Sequence, residues 1–375
     1  MDNLTHSLVG AALARTRLGR LSPAAGAILV TGANLPDLDV VVRLWGGRAG
    51  YLEHHRGVTH GAPGVLVQGL LLGLVAALLL RARARRRGER PPGLRGPLTL
   101  ALVALATHPL LDLLNVYGLR PWLPFDARWV YGDVLFILDP WLWLALGAVV
   151  LLGGERSRRA GLVWGALLGL GALVVAAAAR QGRVASGPAV LWGAGLAAVL
   201  AARALDLGRG RASAIARAGW AAAGLYVAAL FALGPPAARR GREAAEARLR
   251  PGEEVLSVVH APSPMDPRRW GVTVETRAAL VQVDVHLGGR VDEPRRVERG
   301  LDDARVAAAL DADCSAAFRA FARLPVAALR EGPDGARVEL YDLRYQPETT
   351  LDDEGEGTWC SVVLEVAPDG SARCP

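Results

Sequence analysis

His6, Asp37, Asp39, His54, His55, His60, His108 and Asp112 are the residues of this 375-residue chain whose types and spacing fit them for chemistry. Five of its seven histidines fall within the first 108 positions, in the runs NLTH, HHRGVTH and HPLLD, and two aspartates sit in NLPDLD. Imidazole nitrogens mixed with carboxylate oxygens are what a divalent ion asks of a protein. The surrounding sequence is strongly apolar, where an ionisable side chain without a partner is expensive. In HPLLD the two polar residues are four apart, so His108 and Asp112 share one helix face. In HHRGVTH, Gly57 permits a tight turn, Thr59 is placed to cap a following helix and His60 to start it. Arg56 suits an anionic group such as phosphate, which guanidinium pairs with bidentately, and is equally readable as a surface arginine. NLPDLD offers carboxylates at i and i+2 after a proline-fixed turn. Both could reach one ion, one could ligate while the other orients a histidine, or one could cap a helix.

Five histidines and three aspartates exceed one four-coordinate site. Either two metals bind, or some of these residues act as base or support. Two ions about 3.5–4 Å apart would suit phosphoester displacement. The His/Asp mix without cysteine favours zinc, with manganese or iron as alternatives, in one to three ions. The three cysteines, Cys314, Cys360 and Cys374, all lie near the C-terminus with no metal-type spacing. His260 and His286 read as structural or exposed.

The elements that must position this cluster are membrane helices. The hydrophobic fraction is 52%, with mean hydropathy +0.26, high for a soluble protein. The stretches 62–80, 98–116, 134–152, 161–179 and 216–234 are long enough to cross a bilayer, and 188–203 is a shorter candidate. Alternate connections carry fourteen arginines, including those of RARARRRGER and ERSRR, against four in the others. The arginine-rich loops are then cytoplasmic. His60 stands just before one span and His108 and Asp112 in the outer half of the next, so the ligands converge on the non-cytoplasmic side. All 43 basic residues are arginine and the net charge is +7, with the arginines gathered between apolar segments. Nucleic-acid readers instead concentrate charge on one face of a domain, and no nucleic-acid partner is expected.

Two short apolar stretches, 7–14 and 23–33, flank RTRLGR. They read either as a helical hairpin dipping into the membrane, which returns His6 to the level of Asp37 and Asp39, or as two surface helices. The N-terminus shows no signal-peptide pattern. After Pro235–Pro236 a charged helical stretch over 237–250 leads to period-two segments, EVLSVVH, WGVTVET and ALVQVDVHL. An amphipathic helix over 304–323 follows, then RVELYDLRY and TWCSVVLEV. The fold class is thus a multi-pass α-helical membrane domain, 1–235, followed by a small α+β domain, 236–375. If the last span runs outward, the second domain lies on the side of the metal cluster.

NLTHSLVG, NLPDLD, HHRGVTH and HPLLDLLNVYGLRPWLPF, in that order, resemble the YdjM-like family of inner-membrane metal-dependent hydrolases, also described as LexA-binding and inner-membrane-associated. MDPRRW, FARLP and YDLRY resemble stretches of that family's C-terminal region. The resemblance implies a multi-pass inner-membrane protein with metal-dependent hydrolase activity, and supplies no substrate. A looser similarity, to zinc-dependent phospholipases C, implies as ligands His6, one of Asp37 or Asp39, His60, His108 and Asp112. That pattern has further ligands after HxxxD, and no histidine lies between His108 and His260 here.

The expectation is a membrane hydrolase acting on a phosphoester or other ester of a lipid-like substrate. His6, Asp37 or Asp39, His60, His108 and Asp112 form its metal set; His54, His55 or the free aspartate serves as base or support, and Arg56 holds an anion. The rival is a non-catalytic membrane protein with a structural metal and a regulatory or envelope partner. Cation transport is a third reading, weakened by the near absence of acidic residues in the spans after 160.

Overall fold

The computed structural model describes residues 1–153, 158–332, 335–350 and 358–374. Arg156, one of the arginines that set the expected topology, lies outside them. The described residues group into two units. One comprises Met1–Leu38, Arg56–Pro236 and His260–Trp270, and the other Asp39–His55, Ala237–Val259 and Gly271–Pro375.

In the first unit, α1 (Asn3–Leu13) is capped by Asp2, whose carboxylate accepts from Thr5 N at 3.0 Å. It packs on α2 (Ala25–Asn34) so closely that a Cβ at Gly10 would lie 2.6 Å from Leu29 O. The N-terminal stretch is therefore a helical hairpin, with Leu8, Val9, Ala11 and Ala12 buried rather than laid on a surface. In turn α2 packs on α5 (Arg95–Leu113), sharing a core of Ile28, Leu29, Leu100, Ala101 and Ala104. Beside α5 lies α4 (Ala62–Arg86), its helical neighbour in the chain. Gly69 and Gly73 form their seam, where added Cβ atoms would sit 2.8 Å from Leu102 Cδ2 and 2.7 Å from Leu98 Cα. Small residues four apart let two helix backbones approach this closely.

Five helices among the described residues are long and apolar enough to cross a membrane: α4, α5, α7 (Arg158–Arg180), α8 (Ser186–Ala204) and α9 (Ala212–Glu246). The expectations of a short 188–203 and a full span over 134–152 are both corrected. Residues 134–139 are not helical, because Val134 N and Leu135 N donate to Leu114 O and Asp139 caps α6 (Pro140–Leu152) at Trp141 N and Leu142 N. At 13 residues, α6 is about 20 Å long, short of the roughly 30 Å hydrocarbon layer. Nor do Pro235 and Pro236 end a helix, since both lie inside α9. Alanine, arginine and glutamate beyond them are strong enough helix formers to carry it on.

The C-terminal sequence forms two four-stranded antiparallel sheets. The first runs in order β1 (Ser257–Ser263), β2 (Asp266–Glu275), β3 (Ala279–His286) and β4 (Arg295–Glu298). The second runs β5 (Pro325–Gly332), β6 (Gly335–Asp342), β7 (Ser361–Val366) and β8 (Ala372–Arg373). The single helix expected over 304–323 is two, α10 (Ala304–Asp311) and α11 (Ala316–Phe321), broken where Ala312 turns extended at ψ 144°. Val306, Ala309 and Phe318 pack on Val338, Leu340 and Leu364 of the second sheet. Cys314 and Cys374 form a disulfide, and Cys360 is buried and unpaired. This second unit also holds α3 (Arg43–His54).

Candidate metal centre

Each element of the α1, α2, α4 and α5 cluster brings a polar residue to one place. His108 and Asp112 project from the last two turns of α5, one helix turn apart, and both are fully buried. A 3-10 turn after α2 presents Asp37, and the loop before α4 presents His60. One ligand atom from each of Asp37, His60, His108 and Asp112 lies within 4.8 Å of all the others. His108 Nε2 and His60 Nε2 are 3.0 Å apart, and each stands 3.4 Å from Asp37 Oδ1. Asp112 Oδ2 is 3.4 Å from His108 Nε2 and 3.5 Å from His60 Nε2. A tetrahedral ion with ligand bonds near 2.0–2.1 Å sets its ligand atoms about 3.3–3.4 Å apart. Five of the six donor pairs thus stand 3.0–3.5 Å apart, close to the spacing of one four-coordinate shell.

Hydrogen bonding supports the same reading. His108 Nδ1 donates to Ala33 O at 2.6 Å, which leaves the lone pair of the neutral ring on Nε2, facing the cluster. This is the support that metal-binding histidines usually have. His60 Nδ1 meets Thr59 Oγ1 at 3.0 Å. Asn3 Nδ2 donates to Asp37 Oδ2 at 2.8 Å, aiming Oδ1 at the two imidazoles. Asp112 Oδ2 is buried and accepts no hydrogen bond among the described residues. A buried carboxylate oxygen without a donor is costly unless a cation meets it. The residues present thus fit a divalent ion.

Asp112 Oδ1 serves the other side. Arg56 Nη2 lies 3.1 Å from it, the Met1 amino group contacts it, and His6 Nε2 is 3.4 Å away. His6 stacks on His108, ring centroids 3.8 Å apart, so it packs beside the four-atom group rather than within it. Arg56 is buried and also donates to Asn115 Oδ1 at 3.0 Å and Gly118 O at 3.1 Å, under the Tyr117 ring. Its guanidinium ties the loop to the end of α5 and orients Asp112, in place of the open anion-holding position expected. The turn's positive φ, 54°, also falls on Arg56 and not on Gly57. Thr59 does not cap α4, whose first turn follows Gly61. Backbone held in this sparsely populated region tends to mark functional segments.

In the second unit, Asp39 Oδ1 and His55 Nδ1 pair at 2.8 Å, while His54 is exposed beside Glu53. His260 packs near Trp270 and His286 near Asp292, away from any metal-type group among the described residues. Sequence reasoning missed the orienting roles of Asn3 and Arg56. The polar flank of NLTH was the available signal for Asn3; Arg56 had none beyond its place in HHRGVTH.

Residues 1–183 match the family model described as YdjM inner membrane protein. A relative in Bacillus subtilis (strain 168), described as Uncharacterized protein YfhP, is 28% identical over 163 residues. That match covers 40% of this chain and 46% of the relative, so the chain spans less than half the length of the protein it is similar to. No solved structure gives a significant match. The matched region, residues 1–183, holds all four motifs, and over it the chain is similar to the YdjM inner membrane protein family.

Proposed function

We propose that this protein is a membrane-bound metal-dependent hydrolase acting on a phosphoester or other ester of a lipid-like substrate. The observation that carries the reading is the largely buried four-donor group at one end of the α4–α5 hairpin, with Asp112 Oδ2 meeting no hydrogen-bond donor among the described residues. Asp37, His60, His108 and Asp112 would hold the ion, and the His/Asp donor set suits zinc. A bound divalent ion supplies Lewis acidity and an activated water near neutral pH. Asp37 is the most accessible of the four, its side chain 17% exposed where the other three are at 0%, so reactants would approach from its side. Arg56 fixes the Asp112 carboxylate. The Asp39–His55 pair has the form in which a carboxylate orients an imidazole for proton transfer.

The same geometry favours a second reading. Four protein donors fill a tetrahedral shell, which is the habit of structural sites, whereas catalytic sites keep one position open. The discriminator is exchangeable water at the ion.

The sidedness expected from the arginine distribution is part of the proposal: metal site and C-terminal sheets on the non-cytoplasmic face. The Cys314–Cys374 disulfide supports it, since such bonds persist in oxidising compartments. Elemental mass spectrometry on detergent-purified wild type, His60→Ala and His108→Ala tests the core claim. Bound zinc or manganese in wild type, lost in both variants, with phosphoester hydrolysis lost alongside, is the expected result. A wild type that neither carries nor takes up metal overturns it.

A further inference from the structure

Behind α1 the first unit contains a cavity of about 380 Å³, within the range of small-molecule and lipid sites. Phe136, Leu138, Trp143, Val174, Val175 and Met265 give it an apolar wall, and Gln181 and Arg183 stand at its rim, just past the end of α7. An apolar, half-open groove between α7, α6 and the 134–139 and 264–265 loops, with an exposed guanidinium and amide among its lining, matches a lipid whose chain is apolar and whose headgroup is anionic. Arginines at such a level keep their charge among the headgroups.

The groove is tied to the candidate metal centre through intervening residues. Trp143 Nε1 donates to Thr5 Oγ1 at 2.9 Å, and Thr5 precedes His6. Ile137 O, between the lining residues Phe136 and Leu138, accepts from Asp2 N at 3.2 Å. Leu135 bridges to Asn115, three residues beyond Asp112. Trp141 Nε1 donates to Met265 O at 2.9 Å and pins the remaining wall. We infer that this cavity takes one acyl chain of an anionic phospholipid, with Arg183 at its headgroup. That the lipid is also the substrate rests on the hydrolase reading; its binding does not.

Full-length protein in nanodiscs would be photolabelled with phosphatidylglycerol carrying a mid-chain diazirine, and in parallel with the phosphatidylcholine counterpart. Labelled peptides should concentrate on 174–178 and around Met265. Ala178→Trp, which fills the groove, should remove that labelling, whereas Leu173→Trp on the exposed face of α7 should keep it. Arg183→Gln should cut the preference for phosphatidylglycerol about fivefold, the size that one arginine near an anionic lipid surface gives. Labelling spread evenly over the exposed helix faces and unchanged by Arg183→Gln would overturn the inference, even if Ala178→Trp fails to fold. Labelling should persist in His60→Ala. Cavity labelling of a wild type that holds no metal would sink the hydrolase reading alone, and a metal-loaded wild type without cavity labelling would sink this one alone.

Discussion

Two buried carboxylates, one in each unit, show opposite ways of living without water. Glu339, on β6, is fully buried, and its oxygens accept from Gln346 Nε2, Thr349 Oγ1, Thr350 N and Thr350 Oγ1 at 2.6–2.8 Å. Every direction in which its charge points is met by a donor of the chain itself. Asp112, on α5, is equally buried, yet only Oδ1 is served; Oδ2 faces two imidazole nitrogens and accepts no hydrogen bond among the described residues. A satisfied carboxylate is part of a scaffold, and a half-satisfied one among lone pairs is a seat for a cation. Burial alone does not separate the two; the count of donors does.

The sharpest way to break this contrast is His108→Ala, which should abolish metal binding, read by elemental mass spectrometry. Glu339→Ala should leave metal content untouched. Chelation should lower the melting temperature of wild type and leave that of His108→Ala unmoved, because only a protein that binds the ion is stabilised by it. Arg56→Ala should weaken metal affinity by about 10–100-fold, the usual cost of losing a residue that orients a ligand, measured by competition with a chromogenic chelator. Glu339→Ala should instead destabilise the sheets by about 1–3 kcal/mol through the donors it strands, read by urea unfolding.

The smallest effect concerns pH. Hydrogen bonds from Arg296 push the Glu253 carboxyl down to about 2. A depressed carboxylate contributes stability above its unfolded value, near 4.3, and loses it as pH falls toward 2. Glu253→Gln should flatten the acid dependence of unfolding within that window, and an unchanged acid limb would show that the pair does not stabilise the fold.

How much was legible in the sequence follows from how local each signal is. Long apolar runs announce α4, α5 and α7 because a span needs nothing but length and composition. HxxxD fixed the joint direction of His108 and Asp112 because four residues are one helix turn. The stretch 134–152 misled because VLFILD is as apolar as a helix, while its backbone bonds go to Leu114; only Asp139–Pro140, a cap followed by a first-turn proline, marked the true start. The break at Ala312 was hidden for a similar reason, as alanine fits a helix and an extended residue alike. His6 carries the type of a ligand, but its position beside the four donors is set by its stacking on a histidine 102 positions away, which no local pattern encodes. Arg56 has partners that meet only after folding, and no spacing rule reaches from position 56 to 112, 115 and 118.

The glycine seam between α4 and α5 makes the candidate metal site heritable at a distance. His60 and His108 ride on opposite arms of one hairpin, and Gly69 and Gly73 set how tightly the arms close. A single methyl at Gly73, roughly 16 Å along α4 from its first residue, would act as a wedge near the pivot of a pair of tongs, spreading the jaws without touching them. Screens for loss of metal should therefore recover alanine and serine alleles at these two glycines, in a stretch of plain lipid-facing sequence that no inspection of ligands would single out.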